Sequence, residues 1–192
     1  MTFGVFLALL AFSGIAAQAE VVTFQKEITV PGMSKSQVFE KVRTWASLYS
    51  RNYSMDAKAG TVMSAGEIIY PSPPIDRIQY SILYDMKNRI TGNKVIVTFE
   101  KVMLKSPTTY NSETLEVLSG DTKPIKERKD VLAANKSLSH IANNLEAYLL
   151  GKDAASCPLL KCPDCALLCP TLIEMQEHEK VHEPMKPAPD MK

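Results

Sequence analysis

Residues Val21–Tyr49 read VVTFQKEITVPGMSKSQVFEKVRTWASLY, and two hydrophobic periods follow one another within them. Through Val30 the apolar positions alternate, with Val22, Phe24, Ile28 and Val30 on one face and Lys26 interrupting it. A period of two marks a strand with one buried side. Pro31-Gly32 ends that pattern. Ser34, with Gln37 three residues later, then forms a capping box that opens a helix. Val38, Val42, Trp45 and Tyr49 fall at i, i+4, i+7 and i+11, with Phe39 and Leu48 beside them. That spacing builds an apolar stripe suited to lie on a sheet.

Downstream, strand-like runs occupy approximately Tyr53–Ala57, Thr61–Tyr70, Arg77–Asp85 and Ile90–Leu104. Gly60, the cluster Pro71–Pro74 and Lys87-Asn88 supply the breaks, while Gly92-Asn93 bulges or divides the last run. A polar stretch from Lys105 to Glu127 follows, with weak β character at Thr114–Leu118. From Lys129 a second helix carries Leu132, Leu138, Ile141, Leu145 and Leu149 on one side, and Gly151 stops it. The order β-α-β-β-β-β-α predicts an α+β fold: an antiparallel sheet with helices on one face.

Phe24, Ile28, Val30-Pro31-Gly32, Ser34-Lys35, Phe39 and Trp45 resemble the opening signature of a bacterial family of unknown function. The resemblance covers roughly residues 20–150. It implies a fold like that of the TATA-box-binding protein and an envelope setting of the Bacteroidetes type, and it implies no catalytic or binding residues. A helix-grip domain, holding a small apolar ligand between the sheet and the last helix, has much the same element order and is the alternative.

The ends of the chain carry other signals. Residues 1–19, MTFGVFLALLAFSGIAAQA, hold no charged side chain and close on Ala17-Gln18-Ala19. An apolar run from Phe3 to Phe12 before an A-x-A pattern reads as a signal peptide cleaved near Ala19. The expectation is an exported protein, periplasmic or secreted, without stable membrane insertion. Residues 20–151 then form the main domain, 152–156 a hinge, 157–183 a small module and 184–192 a flexible Pro-rich tail. Across all 192 residues, 22 basic and 21 acidic side chains leave a net charge of +1, which offers no general basic surface for nucleic acid.

Little in the main domain points to catalysis. His140 is its one histidine, expected on an exposed helix face with Ser137, Ser139 and Asn143. Asp76 with Asp85, or Glu67 with Glu100, pair only as solvated strand-edge charges, and Asp121, Glu127 and Asp130 interleave the basic cluster Lys123, Lys126, Arg128, Lys129. Trp45 belongs to the helix stripe and is expected in the core rather than on a stacking platform. The expected function is non-enzymatic: a binding or scaffold domain.

The segment Cys157–His182, CPLLKCPDCALLCPTLIEMQEHEKVH, is where chemistry concentrates. Cys162-x2-Cys165, twelve intervening residues and His178-x3-His182 resemble a Cys2His2 zinc finger of ββα form. Two thiolates from a tight turn and two imidazoles four apart on one helix face suit a tetrahedral zinc ion. Thr171 and Glu174 form a capping box for that helix, and Leu160, Cys169 and Met175 stand at the small apolar core, a thin one. Two lysines face five carboxylates over residues 157–183, so the module is suited to protein contact rather than to phosphate. In an oxidising compartment, Cys157, Cys162, Cys165 and Cys169 would instead make two disulfides. Both readings stand on the sequence.

Overall fold

The computed structural model describes residues 24–71, 80–106, 109–110, 117–118 and 120–182. The expected signal peptide at 1–19, Asp76 and the segment 184–192 lie outside the described residues. The chain runs β1 (Phe24–Thr29), α1 (Lys35–Tyr49), β2 (Asn52–Asp56), β3 (Thr61–Ile69), β4 (Ser81–Thr91) and β5 (Lys94–Lys105). There follow β6 (Thr109–Tyr110), β7 (Val117–Leu118), β8 (Thr122–Pro124), α2 (Arg128–Leu149), β9 (Leu160–Lys161), β10 (Leu168–Cys169) and α3 (Leu172–His182). No helix among the described residues is long and apolar enough to cross a membrane.

The architecture is α+β. Strands β1-β5-β4-β3 form an antiparallel sheet, with β8 on β5 and β2 on the first part of β3. Alternation decides which face is buried: in β4, Ile82, Tyr84, Met86, Asn88 and Ile90 all point inward. Helix α1 lies over β3, β4 and β5, and α2 lies over β1 and β5. Both helices cover the same face, which is how an amphipathic sheet removes its apolar side from water.

The local signals that define α1 are realised as read. The Ser34 hydroxyl accepts from the Gln37 backbone N–H, and the Gln37 side chain accepts from the Ser34 N–H at 2.8 Å. Trp45 is buried and donates its indole Nε1–H to Asn144 Oδ1 at 2.8 Å. Lys26, the interruption in the first strand, faces inward near the sheet edge. Its ammonium donates to Asn143 Oδ1 (2.5 Å) and Glu146 Oε2 (2.6 Å), so it fastens β1 to α2. At the far end of α2, Gly151 adopts φ 65°, and Lys152 N–H reaches Ala147 O at 2.9 Å, closing the helix in a Schellman turn.

Several expectations change. The break read at Lys87-Asn88 is absent: β4 runs through it, and the turn falls at Gly92-Asn93. Asn88 looked like a turn residue, yet its register opposite Val62 and Val97 points it into the core. Leu48 and Leu132 are exposed, at 53% and 61%. The true stripe of α2 is Ala134, Leu138, Ile141, Leu145 and Leu149, from which Leu132 is rotated away. Ser137 is buried, not exposed, and His140 is half-buried. The strip where a carrier would seat an apolar ligand is occupied by Phe99, Leu138, Ile141 and Leu145, each fully buried.

One close approach sets the β3–β4 register. Gly66 stands opposite Tyr84, and a Cβ at Gly66 would collide with the Tyr84 hydroxyl and ring. Gly66→Ala is expected to destabilise the fold by about 1–3 kcal/mol in urea unfolding, the usual cost of overpacking.

Tyr70 donates its hydroxyl to Asp130 Oδ1 at 2.8 Å. Burial and then the Asp130 carboxylate raise its pKa from 10.0 to about 12. The phenol is protonated in folded protein where the unfolded chain would ionise, so its contribution is complete below about pH 10 and is lost as pH rises towards 12. Tyr70→Phe should lose less stability than the parent over that interval when unfolding is followed in alkaline buffers.

Candidate metal centre

The C-terminal segment builds a hairpin and a helix. In the hairpin β9 and β10 pair antiparallel, Leu168 opposite Lys161 and Cys169 opposite Leu160. The connecting turn, Cys162-Pro163-Asp164-Cys165-Ala166, is closed by Ala166 N–H to Cys162 O and by Cys162 N–H to Leu167 O, both 2.9 Å. Ala166 takes φ 61°, a left-handed conformation costing an L-residue on the order of 1 kcal/mol. Thr171 caps α3: its Oγ1 accepts from Glu174 N–H at 3.1 Å and donates to Glu174 Oε2 at 2.9 Å.

This arrangement brings Cys162, Cys165 and His178 together, with their ligand atoms all within 4.8 Å of one another. Cys165 Sγ lies 3.1 Å from His178 Nε2. Tetrahedral zinc with ordinary bond lengths needs sulfur–nitrogen and sulfur–sulfur separations of about 3.6 and 3.8 Å. Two thiols and an imidazole nitrogen, all within 4.8 Å of one another, are a fitting donor set for zinc after shifts of some tenths of an ångström. Cys162 and His178 are buried and Cys165 is half-buried. His182 ends α3 in backbone, one turn beyond His178, and its side chain lies outside the described residues. None of the four cysteines forms a disulfide in this structure.

Burial governs the electrostatics. It raises the Cys165 thiol to about 11, with the neighbouring Cys162 and Glu67 adding to the rise against a backbone hydrogen bond from Leu167. Cys169 is pushed up to about 12, first by burial and then by Cys162 and Glu174. These thiols are neutral at pH 7. Cys169 and Met175 are buried and Leu160 is half-buried. The small core read from those three is enlarged by Leu159, Leu167 and Leu168, which join the core of the main domain.

The module therefore does not stand apart on a hinge. Leu168 pairs with Ile68 in parallel, so β10 and β9 extend the main sheet beyond β3. Residues 152–156 contain a 3-10 turn at Ala154–Ser156, held by Ser156 N–H to Asp153 O at 2.9 Å. His140 Nε2 lies 2.6 Å from Pro158 O, so the ring carries its proton there and donates. Asn144, which accepts from Trp45, donates to Cys157 O at 2.7 Å. On the other side Lys161 Nζ donates to the carbonyls of Leu48 (3.4 Å) and Ser50 (3.3 Å) at the C-terminal end of α1.

Glu67 was expected as a solvated strand-edge charge and is instead buried, and Arg51 escaped the sequence reading. Glu67, a polar residue in an otherwise inward-looking strand end, is buried and accepts from Ser81 Oγ at 2.5 Å and Lys105 Nζ at 3.1 Å. Arg51 Nη2 reaches Glu67 Oε2 at 3.0 Å and Cys165 O at 2.7 Å. No spacing rule links Arg51 to a cysteine 114 positions away. The carboxylate of Glu67 was the only visible hint. Its paper partner Glu100 is exposed, while Asp85 pairs with Lys101 at 2.8 Å.

Residues 24–105 match the family model described as a domain of unknown function (DUF4468) with TBP-like fold. The chain is similar to the crystal structure of a TBP-like protein from Parabacteroides distasonis ATCC 8503, at 13% identity and a TM-score of 0.53. That match covers 69% of this chain and 95% of the other. It also matches a DUF4468 family protein from Bacteroides ovatus ATCC 8483, at 16% identity and a TM-score of 0.46, over 68% of this chain and 86% of that one. No curated protein matches. The sheet from β1 to β5 with α1 across it, residues 24–105, thus has a TBP-like fold and is similar to the DUF4468 domain.

Proposed function

We propose that this is an exported, non-enzymatic binding or scaffold protein whose C-terminal module holds a structural zinc ion and presents α3 to a protein partner. The observation that carries the reading is the convergence of Cys162, Cys165 and His178, two of them buried, on one point. His182 is the fourth ligand, placed four residues after His178 on the same helix. When bound, zinc cross-links turn and helix and neutralises two thiolates. The protein's own part is to hold the turn closed through Ala166 and Leu167 and to start α3 at Thr171. Leu172 and Ile173, exposed at 61% and 72% beside Glu174 and Glu177, are the contact surface we assign to the partner.

Metal content and thiol count on the mature protein test this. One zinc per chain, with the thiols of Cys162 and Cys165 titratable only after chelation, is the expected result. His178→Ala should abolish cooperative zinc uptake. Unchanged stoichiometry in that variant would overturn this ligand set, and zinc-free protein without free thiols would overturn the reading in favour of disulfides.

Binding must also displace protons, because burial keeps the Cys165 thiol protonated well above neutrality. With two thiols ionising, uptake should release about two protons per zinc near neutral pH, and affinity should rise about a hundredfold per pH unit. Indicator absorbance in weakly buffered solution measures the release.

A further inference from the structure

Resting on that metal reading, we infer that Arg51 and Glu67 are positioning residues of the metal centre, so that metal loading and docking of the β9–β10 hairpin onto β3 are one equilibrium. The ligands come from the module, but the groups that hold the ligand-bearing turn come from the domain. Arg51 Nη2 donates to the Cys165 carbonyl at 2.7 Å, inside the turn that carries both thiols. The same nitrogen pairs with Glu67 Oε2 at 3.0 Å.

Glu67 does not move freely. It is 5% exposed and is fixed from two more strands, by Ser81 Oγ of β4 at 2.5 Å and by Lys105 Nζ of β5 at 3.1 and 3.3 Å. Arg51 is anchored at its own backbone, whose N–H donates to Ala65 O at 3.3 Å. A guanidinium with both ends fixed sets where the Cys165 carbonyl must lie, and its fork geometry suits two acceptors at once. The next residue of β3, Ile68, is the one that pairs with Leu168 of β10. Strand docking and carbonyl capture therefore occur at adjacent points of one edge.

Linkage makes the effect reciprocal: whatever docking adds to metal affinity, metal adds to docking by the same factor. Groups that orient the ligands of a metal site are worth about ten- to a hundredfold in affinity when removed.

The experiment is cobalt titration of the full mature chain, with zinc competition against a chromophoric chelator, for the parent, Arg51→Ala, Arg51→Lys and Lys94→Ala. Lys94 pairs with exposed Glu27 through β1 and β5 and serves as a charge-loss control. Arg51→Ala is expected to weaken both metals about ten- to a hundredfold and to shift the thiolate-to-cobalt bands. Arg51→Lys should recover part of the loss, and Lys94→Ala should match the parent. Parent-like affinity and spectrum in Arg51→Ala would overturn the inference while leaving the metal reading in place. So would an affinity loss that only tracks lower metal-free stability with an unchanged spectrum. A parent chain that binds neither metal would overturn both.

Discussion

Strand β3 has more edge than its neighbour can cover. β2 pairs with Thr61–Ala65, and the remainder of β3, from Gly66 to Ile69, would present unpaired backbone groups next to the buried side chains of Ile68 and Ile69. Water reaches such groups poorly and another chain reaches them easily, so an uncovered edge is both costly and sticky. The two-residue strand β10 meets that constraint by lying parallel to β3 at Ile68. Parallel pairing demands a long return path, and α2 supplies it by carrying the chain across the sheet before the hairpin begins. The order of elements after β5 follows from that demand.

Covering an edge with so short a strand leaves most of the fixing to side chains. They come from α2, from Arg51 and Glu67, and from Lys161 of the hairpin itself. Lys161 docks on the end of α1, where helix carbonyls lack intrahelical partners and attract a cation. His140 and Asn144 of α2 hold the carbonyls of Pro158 and Cys157. Arg51 and Glu67 hold that of Cys165. Backbone carbonyls are the acceptors at each of these points, and of the donors just named Lys161 alone belongs to the module. A small module that stands alone needs its own hydrophobic core. This one shares a core, and Cys169 and Met175 can stand at its apolar positions because Leu159, Leu167 and Leu168 complete the packing from beside them.

How far the sequence revealed this depended on the range of each interaction. Capping at Ser34, the stripe through Trp45, the stop at Gly151 and the cysteine and histidine spacing that brings Cys162, Cys165 and His178 together are local patterns, and each was legible. Asn88 was misread because turn propensity outweighed its inward position in a central strand. Leu132 was misread because one apolar residue a few positions off the stripe looks equivalent without the sheet to face. His140 was placed on an exposed surface because nothing nearby in sequence shows that Cys157 and Pro158 return to cover it. Arg51, Glu67 and Asn144 act across separations of 13 to 114 residues, where no periodicity operates.

Trp45 is the one tryptophan in the chain, and its indole N–H is bonded to an amide that in turn holds the carbonyl at which the C-terminal module begins. The emission of an indole responds to the loss of a buried hydrogen-bond partner and to the entry of water. The protein thus contains its own fluorophore at the junction of α1, α2 and the module. Departure of the hairpin from the sheet would free Asn144, change the surroundings of that ring and become visible in solution without any label.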